Sequence, residues 1–152
     1  MSHDLSLTAY ENHCDKCGRE DTHNLGESNV SYNHCWIWYD KFDTKSGFRA
    51  MYNVPIDILI PRLEQLRKDL IFISGGEPTH VMVTDKEHTT YGRNDYGEPL
   101  WSEKMVNTID GNTMRDDGWA KTNYNAMRCI EDILKISMYN VQEHPHATWY
   151  GD

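Results

Sequence analysis

In Asp57-Ile58-Leu59-Ile60-Pro61-Arg62-Leu63-Glu64-Gln65-Leu66-Arg67-Lys68-Asp69-Leu70, four leucines (59, 63, 66 and 70) fall on one stripe at helical spacing. Ile56 and Ile60 extend the stripe, and Arg62, Glu64, Arg67 and Lys68 lie largely off it. The segment therefore predicts an amphipathic helix that must bury one side. Pro61 lacks a backbone N–H and suits only a first turn, which makes Asp57 the natural N-cap. A second helix is predicted from Thr122 to Val141. Met127, Ile130, Ile133, Leu134, Ser137, Met138 and Val141 mark its buried face, with Thr122 or Asn123 as cap.

Outward from these helices, the chain supplies strands for them to pack on. Asp4 to Tyr10 alternates, with Leu5, Leu7 and Ala9 on one face and Asp4, Ser6 and Thr8 on the other, which predicts a half-buried opening strand. Polar residues from Gly18 to Ser28 read as a loop. Ser31 is an N-cap candidate for a short helix from about 32 to 43, with Tyr32, Trp36, Tyr39 and Phe42 at helical spacing; a buried strand through Cys35 to Tyr39 is the competing reading. Val81 and Val83 predict a short strand over His80 to Thr84. His144-Pro145-His146 ends the second helix, and Ala147 to Tyr150 can add a last strand.

Tyr91 to Gly118 is rich in Gly, Asn and Asp and lacks apolar periodicity, so residues 74–117 read as a long loop or an insertion. No repeat or low-complexity segment interrupts the chain. At 152 residues it suits one domain, residues 1–152. The expected fold class is α+β, two or three helices packed on a small, mostly antiparallel sheet, with a zinc-knuckle-like loop.

Mean hydropathy is low, at −0.76, yet five Trp and nine Tyr argue against disorder and assign aromatics a large share of the core. The formal net charge of −9 disfavours direct contact with nucleic-acid phosphates. It is compatible with a basic protein partner or with mimicry of nucleic acid, and equally with solubility alone. No secretory leader opens the chain and no run of 18 apolar residues occurs, so a soluble, cytoplasmic protein without a membrane segment is expected.

The run His13-Cys14-Asp15-Lys16-Cys17-Gly18 carries the sharpest chemical signal. Two cysteines two residues apart, followed by glycine, form half of a zinc knuckle, since both thiolates can face one ion where the backbone turns beneath them. Structural Zn2+ needs four ligands, and Cys35 with His23 or His34 would complete the set, stapling the loop to the first helix. Reduced thiols on a loop are the bland alternative. Redox chemistry is disfavoured because the pair does not open a helix after a strand. Cys129, inside an apolar helical pattern, reads as an ordinary buried cysteine.

Asn29, Asn33, Trp119, Thr122, Asn123 and Asn125 flank the starts of two aromatic-rich helices. Amides paired with a flat indole are what a small-ligand site uses, although helix capping explains the same residues. The eight histidines are scattered, and the chain has no HExxH, GxSxG or P-loop. Asp85-Lys86-Glu87-His88 reads as an acid–base cluster or, more simply, as a solvated turn.

Asn29-Val30-Ser31-Tyr32-Asn33 resembles the N-[IV]-[ST]-[YH]-N motif of small proteins encoded by phages and by bacterial genomes carrying mobile elements. Ile60-Pro61-Arg62-Leu63-Glu64, Trp119-Ala120-Lys121-Thr122-Asn123-Tyr124-Asn125-Ala126 and the ending Pro145 to Trp149 are similar to further segments of that family. Some of its members carry a CxxC upstream and a histidine where Tyr32 stands, a place that His34 would fill here. The resemblance implies a genomic setting rather than a reaction, and it marks Asn33, Trp119, Thr122 and Asn125.

Two function classes follow. One is a non-enzymatic, phage-type accessory protein that binds a host protein, in counter-defence or takeover, with a structural zinc site. The other binds or hydrolyses a small nucleotide-like ligand in a pocket lined by Asn29, Asn33, Trp119, Thr122 and Asn125. A stand-alone structural zinc domain within a larger assembly is a third option.

Overall fold

The computed structural model describes residues 2–78, 80–84, 103–107, 113–115 and 123–151. Its architecture is α+β, as the sequence predicts. Three antiparallel strands form the main sheet: β1 (Ser2–Glu11) lies between β2 (Asp21–Ser31) and β6 (Thr148–Gly151). The alternation in β1 is realised fully, with Leu5, Leu7 and Ala9 buried. The ladder runs from Ser2 opposite Ser31 to Glu11 opposite Asp21, with a bulge between Leu7 and Thr8.

β2 corrects the loop reading of residues 18–28. Its first four residues are exposed, so no apolar alternation announces it. It forms because its backbone pairs with β1, a non-local contact with no side-chain signature.

Ser31 does cap the next segment, accepting the Asn33 N–H at 3.3 Å. The chain then winds through a 3₁₀ turn (Tyr32–His34), a single α turn, α1 (Cys35–Ile37), and a π turn (Trp38–Phe42). Changing the pitch in this way rotates the buried face. His34, Cys35, Ile37 and Trp38 point inward, whereas Tyr32 is 74% exposed, against the predicted Tyr32–Trp36–Tyr39 stripe. A second 3₁₀ turn (Gly47–Met51) buries Phe48 and Met51.

Helix α2 (Ile56–Ser74) buries the predicted Leu59, Leu63, Leu66 and Leu70. Each such side chain contributes about 1.5–3 kcal/mol on leaving water. The helix begins earlier than predicted, at Ile56 after Pro55, and Asp57 lies in its first turn rather than capping it. The carbonyls of Ala147 and Pro145 instead accept the Ile56 and Asp57 N–H groups, at 2.9 and 3.1 Å. Pro61 consequently falls in the second turn, on the exposed side. Gly75, at φ +74, ends the helix: its N–H reaches Phe72 O, and the Gly76 N–H reaches Ile71 O.

α3 (Asn123–Asn140) packs on both α2 and the sheet. Ile130, Ile133 and Leu134 are buried as predicted, while Met138 is 53% exposed. The buried Trp149 indole donates to Ser137 Oγ at 2.9 Å, tying β6 to the helix. Within the stretch read as a long loop, β3 (His80–Thr84), β4 (Glu103–Asn107) and β5 (Thr113–Arg115) form a second antiparallel sheet, and β3 matches the predicted strand. Among the described residues no helix is long and apolar enough to cross a membrane.

Candidate functional site

β2 is an edge strand, so alternate carbonyls along its outer side need partners. Two thiols supply them. Cys129 Sγ of α3 donates to Asn29 O at 3.7 Å, and Cys35 Sγ of α1 donates to Ser31 O at 3.3 Å. Close approach of helix to strand is set at Gly26, where an added Cβ would lie 2.6 Å from Ile136 Cγ2. Beside that contact, β2 and α3 line a groove of about 540 Å³.

One side of the groove is a polar face of α3, spaced i, i+3, i+4, i+7 and i+10: Asn125, Arg128, Cys129, Asp132 and Lys135. The other side is Ser28, Asn29 and Ser31, closed at the end by the buried His34. Ser28 Oγ donates to Asp132 Oδ2 at 2.6 Å, and Asn29 Nδ2 donates to Asp4 Oδ1 at 2.7 Å. These bonds hold both walls in place. Glu131 Oε1 accepts from Arg67 Nε at 3.1 Å, so its charge is answered from α2. Arg128 and Lys135 pair with no carboxylate among the described residues, and the Arg128 guanidinium stands 5.9 Å from the Tyr124 ring centroid. The groove therefore presents two cations and two carboxylates beside two amides, an imidazole and two hydroxyls.

Neither Cys129, which lines the groove, nor Cys35 is an activated thiol. Burial pushes the Cys129 thiol up to about 12, helped by Cys35 and Asp132 and opposed by the Trp38 indole. Burial also raises Cys35, with Arg49 opposing. Their role is to satisfy the β2 edge.

Of the residues expected to bind a ligand, the fold brings Asn29 and Asn125 to one groove. Asn33 lies half-buried outside its lining, and Trp119 and Thr122 lie outside the described residues, as does Asp85-Lys86-Glu87-His88. His34, expected as a metal ligand, closes this groove instead. Ser28, Arg128, Asp132 and Lys135 join them with no motif in the sequence to mark them. The polar spacing 125–128–132–135 was legible in the sequence, but a polar helical face ordinarily means solvent.

The five expected zinc ligands do not converge. Cys14 and Cys17 occupy the hairpin tip beyond the Glu11–Asp21 pair, whereas His34 and Cys35 follow Ser31 at the opposite end of the ladder. At ~3.3 Å per residue the ladder separates the two groups by on the order of 30 Å. One ion cannot take ligands from both ends. His23 is exposed on β2 with Nε2 3.4 Å from Glu11 Oε2, and among the described residues no group of three or more His, Cys, Asp or Glu could hold a metal.

Compared with protein-family models, curated proteins and solved structures, the chain matches none.

Proposed function

We propose that this chain is a non-enzymatic binding module whose groove between β2 and α3 holds a small, polar, nucleotide-like ligand. The meeting of Asn29, Asn125 and His34 with the Arg128 and Lys135 cations in one groove carries this reading. Asn125 is only 5% exposed, which places its amide in the inner lining of the groove. Arg128 and Lys135 in the lining suit a phosphate.

The test is native mass spectrometry of the purified protein, followed by thermal melts with a panel of nucleotides. A ligand at a hundred times its Kd adds about 2.7 kcal/mol of stability. Arg128→Ala and Asn125→Ala should abolish the retained mass and the shift while the fold survives. A bare mass and no shift with any nucleotide refutes the reading.

A phage-type accessory protein docking on a host protein is the second reading. Phe72 and Tyr139, 87% and 88% exposed, favour it, because aromatic side chains held in water are common anchors of protein interfaces. The net charge of −9 would direct such docking to a basic partner. Phe72→Ser and Tyr139→Ser should then cost partner binding without lowering the melting temperature, and unaltered binding in both variants refutes it.

A further inference from the structure

The β1–β2 hairpin ends in a loop that the groove does not use. The Cys14 N–H donates to Arg19 O and the Gly18 N–H to Cys14 O, both at 2.8 Å, closing a tight turn. Gly18 has φ +71 with open space around it, so the backbone folds back beneath the sulfurs. Cys14 and Cys17 stand on this one turn, three residues apart, with the Cys17 thiol beside that of Cys14. Two thiols on one such turn form a metal-binding half-site with the shape of a knuckle.

Its position is as informative as its geometry. Residues 12–20 are exposed apart from half-buried Cys14, and the tip extends past the last ladder pair. Among the described residues no third ligand joins the pair. A structural zinc ion takes four ligands in a closed tetrahedron, so two must arrive from outside this arrangement.

We propose that Cys14 and Cys17 are half of a zinc site completed by the same pair of a second copy of this chain, one ion joining two hairpin tips. A two-fold axis through the ion makes the contact self-complementary, each copy giving what it receives. Four Zn–S bonds form as the four thiols release their protons to solvent. The resulting centre carries a formal charge of −2, and each loop brings Lys16 and Arg19 to it together with Asp15 and Glu20. Elsewhere the two copies, each at −9, repel one another, so association depends on the metal. The junction lies at the opposite end of β2 from His34, which leaves the groove open in both copies.

The test is light-scattering mass measurement of chelator-stripped protein, kept under a phosphine reductant and titrated with Zn2+. The mass should rise from 17.8 kDa to twice that value, with the change complete at one zinc per two chains and reversed by EDTA. The Cys14→Ser, Cys17→Ser double variant should stay monomeric with an unchanged circular-dichroism spectrum, since the residues of the tip other than Cys14 are exposed. Co2+ in place of zinc should give the sulfur-to-metal charge-transfer band of four thiolates. One zinc per chain without a mass change overturns the proposal in favour of ligands from residues 85–102, 108–112 or 116–122. No zinc uptake, or a dimer that persists in the double variant, overturns it outright.

Discussion

Replacing Ser137 with alanine should strand the buried indole N–H of Trp149. Ser137 Oγ has two bonds: it donates to Ile133 O at 2.8 Å and accepts from Trp149 Nε1 at 2.9 Å, and both residues are fully buried. Leaving a buried donor without an acceptor costs about 1–3 kcal/mol. Alanine recovers up to ~0.5 kcal/mol of helix propensity, so the net loss should be about 1–2 kcal/mol. For a domain of this size each kcal/mol moves the melting temperature by about 2–4 °C, which predicts a fall of ~2–8 °C. The assay is a thermal melt by circular dichroism for Ser137→Ala, Trp149→Phe and the double variant. Trp149→Phe removes the donor, so in that background Ser137→Ala should be neutral or slightly stabilising. An equal loss in both backgrounds would refute the hydrogen-bond argument and assign the effect to packing.

Gly26→Ala must move Ile136, a β-branched side chain with little rotamer freedom, and so push α3 from β2; it should cost about 1–3 kcal/mol and weaken groove ligands, both read from melts with and without nucleotide. Native protein at pH 7.5 should be alkylated at Cys14 and Cys17, with Cys35 and Cys129 reacting only after unfolding, as mapped by mass spectrometry. Because burial raises the Cys129 thiol from 9.0 to about 12, its contribution to stability is complete below pH 9 and lost as pH rises towards 12. Cys129→Val should flatten that alkaline arm in urea titrations, and an unchanged arm would exclude Cys129 as its source. Pro61→Ala restores a helical bond to Asp57 O in the second turn of α2 and should stabilise by about 1–2 kcal/mol, the interior penalty outweighing the lost rigidity of the unfolded chain.

What repeats locally can be read from the chain alone. Leu59, Leu63, Leu66 and Leu70 specify α2, Ile130, Ile133 and Leu134 specify α3, and Leu5, Leu7 and Ala9 specify β1, because burying one face imposes a period on the chain. The Ser31 cap and the strand at the C-terminus were legible for the same reason: each is written within a few residues. The tertiary structure alone decided the rest. β2 exists because β1 lends it hydrogen bonds, and polar residues 21–24 carry no trace of that. The helix cap at Ile56 comes from Pro145 and Ala147, about ninety residues away. The groove joins Ser28 to Asp132 across a separation of 104, and the same ladder that builds it carries Cys14 and Cys17 away from Cys35. Spacing along a chain limits which groups can meet, but only the register of a sheet and the packing of a helix against its edge select which groups do.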